Sequence, residues 1–170
     1  MREIVVYPHP ALLEAAKPVE VFDEDLTRLV ADMHQTMIKA EGVGLAAPQI
    51  AVSKRICIVD VTVGEDPDQL YILINPEIVE TSGSQKGEEG CLSFPDIVTV
   101  VDRPTYVKIR TRNLAGDVVE VEAEGFLARA FCHEIDHLNG VVFTERISAL
   151  KRNMIKKKIQ KRVKSGTWSR

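Results

Sequence analysis

The chain has 170 residues, of which 45% are hydrophobic, 28% charged and 5% aromatic, so it is long enough for one well-cored domain and too apolar to be disordered throughout. No stretch approaches 18 uninterrupted apolar residues, the opening Met1-Arg2-Glu3-Ile4 lacks the apolar core of a secretory signal, and three cysteines make an odd count; these features argue against a membrane-spanning helix and against a secreted disulfide scaffold. The net charge of −3 conceals a split: residues 151–170 hold nine Lys and Arg and no acid, leaving 13 basic and 25 acidic residues, a balance of −12, in the other 150.

Residues 3–7 (Glu-Ile-Val-Val-Tyr) predict a short strand that Pro8 and Pro10 break. Asp23 or Asp25 can cap a helix reaching about Ala40, with Leu26, Leu29, Val30, Met33, Met37 and Ile38 at helical spacing and Glu41-Gly42-Val43-Gly44 as its stop. Ile56–Val61, Tyr71–Ile74, Ile78–Val79, Ile97–Val101 and Tyr106–Arg112 are β-branched runs bounded by turn residues, and read as strands. Asn113–Asp117 reads as a hairpin turn into Val118–Ala123, which alternates apolar and acidic side chains. Further helices are expected at about Gly125–Leu138, stopped by Asn139-Gly140, and at roughly Ser148–Val163. In the latter, Leu150, Met154, Ile155, Ile159 and Val163 form a stripe expected to pack on the domain. Clustered strands with helices before and after them indicate a single α+β domain rather than an alternating parallel sheet.

The segment richest in chemistry is His133-Glu134-Ile135-Asp136-His137. Residues four apart share a helix face, so both imidazoles can reach one cation while Glu134 reaches a water on it as general base. The plainer reading is two histidines on an amphipathic helix. A catalytic site of this type needs a third protein ligand and an open position. Phe143 stands where a third histidine of one such class would be, Glu145 is too near, and His9 and His34 have no motif around them. Cys132 points about 100° away from His133, and Cys57 sits in an apolar strand. Cys91 lies in Glu88-Glu89-Gly90-Cys91-Leu92-Ser93-Phe94-Pro95, a backbone suited to close approach, and completes a set of one thiolate and two imidazoles.

Three segments together, Gly42-Val43-Gly44-Leu45-Ala46-Ala47-Pro48-Gln49, Glu89-Gly90-Cys91-Leu92-Ser93 and His133-Glu134-Ile135-Asp136-His137, with 42 positions from Cys91 to His133, resemble the motifs of peptide deformylase. The resemblance spans about residues 3–150. It implies removal of the N-terminal formyl group from formyl-methionyl nascent chains, releasing formate. It implies an α+β fold with antiparallel or mixed strands around the motif-bearing helix, and a C-terminal helix. It also implies one divalent metal, ferrous iron in the cell, with zinc, nickel or cobalt in preparations. Cys91, His133 and His137 would be its ligands, Glu134 the base, and Gln49 and the Leu92 backbone N–H the oxyanion donors. Losing one such donor typically costs about 3–4 kcal/mol of transition-state stabilisation. Val43, Gly44 and Gly90 would line the substrate. Phe126, Ala130 and the stem of Arg129 are candidates for a methionine pocket.

The chain departs from the family at Val98, where many bacterial members carry an arginine, which bears on contacts to the far end of the peptide. Glu41 and Arg103 occupy positions where members form an ion pair; two unrelated surface charges are the alternative. The expected organisation is a catalytic part, 1–147, followed by a basic helix and tail, 148–170, which either packs as a solvated helix or contacts the ribosome. Neither a membrane nor sequence-specific nucleic acid is expected as partner, and the bacterial cytoplasm is the expected location. Two other readings stay open: a metallo-amidase acting on another acyl group, and a binding module with a structural Cys-His-His metal site, although structural zinc usually has four protein ligands.

Overall fold

A computed structural model describes all 170 residues. Seven strands are present: β1 (Gly44–Ala46), β2 (Ile56–Val59), β3 (Tyr71–Ser82), β4 (Gln85–Cys91), β5 (Phe94–Arg103), β6 (Tyr106–Arg112) and β7 (Val118–Glu124). Three α-helices accompany them: α1 (Glu24–Lys39), α2 (Gly125–Leu138) and α3 (Ala149–Lys164). Five strands form an antiparallel sheet in the order β1-β2-β3-β6-β7, and β4 and β5 form a separate hairpin. This is the expected α+β domain, and α2 carries the His133–His137 motif.

The sheet is covered on both faces at its centre. Cys57 and Val59 of β2 pack with Ala128, Phe131 and Ile135 of α2, whereas Ile56 and Ile58 pack with the α1 residues Leu26, Leu29, Met33 and Met37. Successive strand residues point to opposite faces, so a strand covered on both sides reads as an unbroken apolar run. That is why Ile56-Cys57-Ile58-Val59 shows no alternation. A third cluster joins the hairpin to α3 through Phe94, Ile97, Val101, Val142, Phe143 and Ile159.

Several local expectations change. Residues 3–7 form no strand: only isolated bonds tie them down, from Val5 N to Gln49 O at 2.9 Å and from Tyr7 N to Ser93 O at 2.9 Å. Asp23, not Asp25, caps α1 by accepting from Leu26 N at 3.0 Å. The helix stops on Glu41 in the left-handed region (φ 57°), not on a glycine. Tyr71–Ile74 and Ile78–Val79 belong to one strand, bent at Asn75-Pro76 where the register with β6 shifts. Asn75 takes φ 51°, and its carboxamide pairs with both backbone groups of Val19, at 2.8 and 2.9 Å. β4 has no counterpart among the expected strands: its Gln, Lys, Glu and Gly residues lack strand propensity, and pairing with β5 supplies what propensity does not. On α3 Ile159 is buried and Arg152, Ile155, Lys156 and Arg162 are half-buried, while Leu150, Met154 and Val163 are exposed, so only two of the five residues in the predicted apolar stripe are used.

Candidate metal centre

Most of α2 is buried, from Ala128 to Leu138, because the sheet covers one side and the β4–β5 hairpin the other. Its two histidines lie one turn apart with ring centroids at 5.0 Å. The hairpin brings Cys91 to them, with Sγ 3.3 Å from His137 Nε2. One donor atom from each of Cys91, His133 and His137 lies within 4.8 Å of the others. Tetrahedral coordination with Zn–S and Zn–N distances of about 2.3 and 2.1 Å would place donors roughly 3.6 Å apart, which this set can reach with small side-chain shifts. Cys57 and Cys132 are instead core residues; burial raises both thiols, that of Cys132 to about 11. His9 caps a turn through Ala11 N, and His34 lies beside Asp60; neither joins the cluster.

The candidate ligand side chains are held from behind. Glu89 accepts from His133 Nδ1 at 2.8 Å. A buried carboxylate can only accept, so Nδ1 carries a proton and Nε2 is the nitrogen left to face a cation, which it would bind as the neutral ring. Glu89 also takes two bonds from Arg103, at 2.8 and 2.9 Å, and one from Arg129 at 2.7 Å. Burial by itself would raise the Glu89 carboxyl, but Arg103 and His133 outweigh it and hold it well below the usual carboxylate range. Arg103 bonds Asp136 at 2.7 Å, and Arg146 bonds the same carboxylate at 2.8 and 3.0 Å. Arg103 therefore does not pair with Glu41, which is exposed. The expected Glu41–Arg103 pair is replaced by a buried network of Glu89, Arg103, Asp136, Arg129 and Arg146. Sequence reasoning missed Glu89 as an anchor, although it stands two residues before Cys91.

Glu134 is 5% exposed, and its Oε2 has no hydrogen-bond partner. Burial pushes this carboxyl up to about 7, against the opposing charge of His133. Burial and the neighbouring His133 charge push His137 well down, which keeps its imidazole in the neutral form that a metal requires. Gln49 is 1% exposed; its Oε1 accepts from Ala46 N at 2.9 Å, which turns its amide nitrogen toward Ser93 Oγ (3.2 Å) and Cys91 Sγ (3.6 Å). An orphaned buried carboxylate beside one thiol and two imidazoles fits a catalytic divalent cation.

Gly42 and Gly44 owe their identity to close approach. A Cβ on Gly42 would meet Leu92 Cδ1 at 2.6 Å, and one on Gly44 would meet Glu134 Oε1 at 2.5 Å. A cavity of about 230 Å³ lies here, lined by Val43, Gly44, Gln49, Gly90, Leu92 and Glu134 among others. A second, of about 110 Å³, shares Val43, Gly90, His133 and Glu134 with it and extends to Phe126, Arg129 and Ala130. Phe126 is 54% exposed at its mouth, and Arg129 belongs to the buried network, so it contributes more than its stem. Val98 is exposed and opposite Gly90 in the hairpin. β1 is an edge of the large sheet and β4 pairs only with β5, so the two walls of the cleft are strands with an open side.

Breaking the network by Arg103→Ala leaves the Glu89 and Asp136 carboxylates short of a partner. We expect destabilisation of about 3–5 kcal/mol by urea unfolding. A loss below about 1 kcal/mol would show that the network does not support the fold.

A sequence profile described as polypeptide deformylase matches residues 1–153. The peptide deformylase of Acidobacterium capsulatum is 50% identical over 168 residues, covering 99% of each chain. Peptide deformylase 1 of Bacillus subtilis is 49% identical over 148 residues, 87% of this chain and 91% of that protein. The crystal structure of a peptide deformylase from Legionella pneumophila superposes with a TM-score of 0.90 at 40% identity, covering 100% of this chain and 99% of that one. The fold, the clustered Cys91, His133 and His137, and these likenesses agree: the chain belongs to the polypeptide deformylase family, metal-dependent hydrolases that remove the formyl group from N-formylmethionine of nascent peptides.

Proposed function

We propose that the cleft between β1 and β4 is where this chain deformylates its substrate, and that Cys91, His133 and His137 hold one divalent cation there. The observation that carries this reading is the buried, partnerless Glu134 oxygen beside those three donors. A cation so held makes water acidic near neutral pH and polarises a carbonyl. Glu134 accepts the proton as the water oxygen bonds to the formyl carbon, and returns it to the amide nitrogen as the C–N bond breaks, giving formate and a free amine. Gln49 Nε2–H and the Leu92 N–H donate to the oxyanion formed on the way. The open edges at Val43–Gly44 and Gly90 allow the peptide to add as a strand, and the side cavity at Phe126 and Ala130 takes the methionine side chain.

Wild-type protein should release formate from a formyl-Met peptide and leave the acetylated peptide essentially intact; equal rates on both would favour another amidase. Glu134→Gln should lose at least about a hundredfold in turnover while binding one metal per chain, as measured by metal analysis on the same sample. Full activity of that variant would remove Glu134 from the mechanism.

For the cation we favour ferrous iron in the cell, although affinity order does not select it over nickel or zinc. A half-buried thiolate on ferrous iron is open to oxidation. Iron-loaded enzyme should therefore lose activity in air within hours while nickel-loaded enzyme keeps it; equal lifetimes would count against iron lability.

We assign residues 1–147 to catalysis and 148–170 to a basic helix and tail, and place the enzyme in the cytoplasm, where nascent chains emerge. No helix is long and apolar enough to cross a membrane. In 151–170 the arginines are consumed by structure: Arg152 bonds Thr144 O, Arg162 bonds Pro95 O and Arg170 bonds Leu92 O. The six lysines of this segment make no side-chain hydrogen bond or ion pair and leave α3 with a positive outer face suited to ribosomal RNA. Co-sedimentation with ribosomes should weaken steeply with salt, and a Lys157→Glu/Lys158→Glu/Lys161→Glu variant should flatten the salt slope by about one unit for each phosphate no longer bound. Salt-independent binding would overturn the proposed ribosome contact.

A further inference from the structure

Residues 162–170 lie beyond the segment 1–153 that the family profile matches, and they make contacts that a solvated tail would not. The turn they touch carries Cys91. The β4–β5 register shifts between Gly90 and Cys91, so Cys91 pairs with Phe94 and only Leu92 and Ser93 link them. A link this tight leaves carbonyls without ladder partners. Three of those between 92 and 95 are bonded from elsewhere. Ser93 O accepts from Tyr7 N at 2.9 Å, Leu92 O from Arg170 Nη1 at 3.0 Å, and Pro95 O from Arg162 Nη1 at 2.7 Å. Arg162 also reaches Asp96 Oδ2 at 3.4 Å, and Asp96 sits at φ 59°.

Trp168 fastens the tail. Its Nε1 donates to Tyr7 O at 2.6 Å, its ring meets Phe94 edge-on at 6.4 Å, and the Arg162 guanidinium lies 5.0 Å from its centroid. Phe94 in turn stacks on Tyr7 at 4.8 Å and meets Phe143 edge-on at 5.0 Å. Phe143 lies 5.8 Å from the His133 ring. Packed rings thus run from the tail to one imidazole, and two guanidinium bonds run to the backbone on either side of Ser93.

We propose that residues 162–170 are a positioning clamp for the reaction, in which Arg162, Trp168 and Arg170 hold the Cys91–Asp96 turn so that the thiol and the Leu92 N–H stay aligned with His133 and His137. The clamp rests on the deformylase reading above. None of its three side chains touches substrate; they act through Leu92, Pro95 and Phe94. A misplacement of the order of an ångström at a reacting centre can cost about a hundredfold in rate, so a modest loosening of this turn is enough to be measured.

The test uses full-length Trp168→Ala, Arg170→Ala and Arg170→Lys, with Leu26→Ala, in the first turn of α1, as a control that weakens the core without touching the clamp. Three readouts are taken: kcat and KM on a formyl-Met peptide, the thiolate absorption band of the cobalt(II)-substituted enzyme, and the melting temperature. Trp168→Ala and Arg170→Ala should lower kcat about tenfold with KM changed by less than about twofold, and should displace the cobalt–thiolate band. Arg170→Lys should recover part of both. Leu26→Ala should lower the melting temperature and leave kcat and the band in place. Unchanged kcat and band in both alanine variants would overturn the clamp, as would the same kcat loss in Leu26→Ala. Should Trp168→Ala fail to fold, Arg170→Ala decides, because it alters one exposed side chain. If the wild type releases no formate, the deformylase reading fails, and the cobalt band still judges the clamp.

Discussion

The Glu89 carboxylate is the contact on which the site depends. The β4–β5 hairpin shares no ladder with the five-stranded sheet, so no strand pairing sets its position against α2. Glu89 supplies that position by bonding His133 and Arg129 of α2 and Arg103 of β5. Such a group is costly to bury, and stays buried only with each lone pair satisfied by a charged or N–H donor. The arrangement is therefore close to all-or-none. When the three donors are in place, Cys91, two residues along β4, is delivered beside His137; when one is missing, a buried charge is stranded. The residue that aims the Cys91 strand also fixes which ring nitrogen His133 turns toward the candidate metal site, which joins folding to the chemistry of the donor set.

A second constraint comes from close approach. The cleft is narrow enough that Gly42 abuts Leu92 and Gly44 abuts Glu134. Any β-carbon at Gly44 would press on the Glu134 carboxyl. β1 pairs only with β2, so its free edge borders the cavity that Gly90 and Cys91 of β4 also line. Arginine and lysine divide the basic C-terminal segment between them. The planar guanidinium can bond several carbonyls at once and is used inward, while the strongly hydrated ammonium groups remain outward. A segment that composition alone marks as a uniform positive tail is in fact one third fastening and two thirds free charge.

Legibility in the sequence followed the range of the forces involved. The bounds of β6 and α2 match expectation because an alternating run and a helical period are local signals ended by local stops at Asn113 and Asn139-Gly140. β4 escaped because its residues have no strand preference of their own, and residues 3–7 misled because an apolar run is no strand without a neighbour to pair with. The α3 stripe departs from expectation because Arg152 and Arg162, whose stems pack and whose heads find carbonyls, take places that periodicity assigns to apolar residues. The Glu41–Arg103 pair failed for a related reason: a buried guanidinium goes where carboxylates are desolvated with it, and Glu89 and Asp136 are.

By itself the sequence determined the chemistry. The donor types, the four-residue spacing of His133 and His137, the glutamate between them and the two glycine-bearing motifs are properties of covalent order and helical pitch, and they name the family before any fold is drawn. Only the tertiary structure decided which charges pair, which face of α3 is buried and what holds the Cys91 turn. Those outcomes depend on contacts between residues far apart along the chain, Arg103 with Glu89 and Asp136, Trp168 with Tyr7, Arg170 with Leu92. Burial sets the strength of each such contact, and burial is a property of the packed whole that no local run of residues carries.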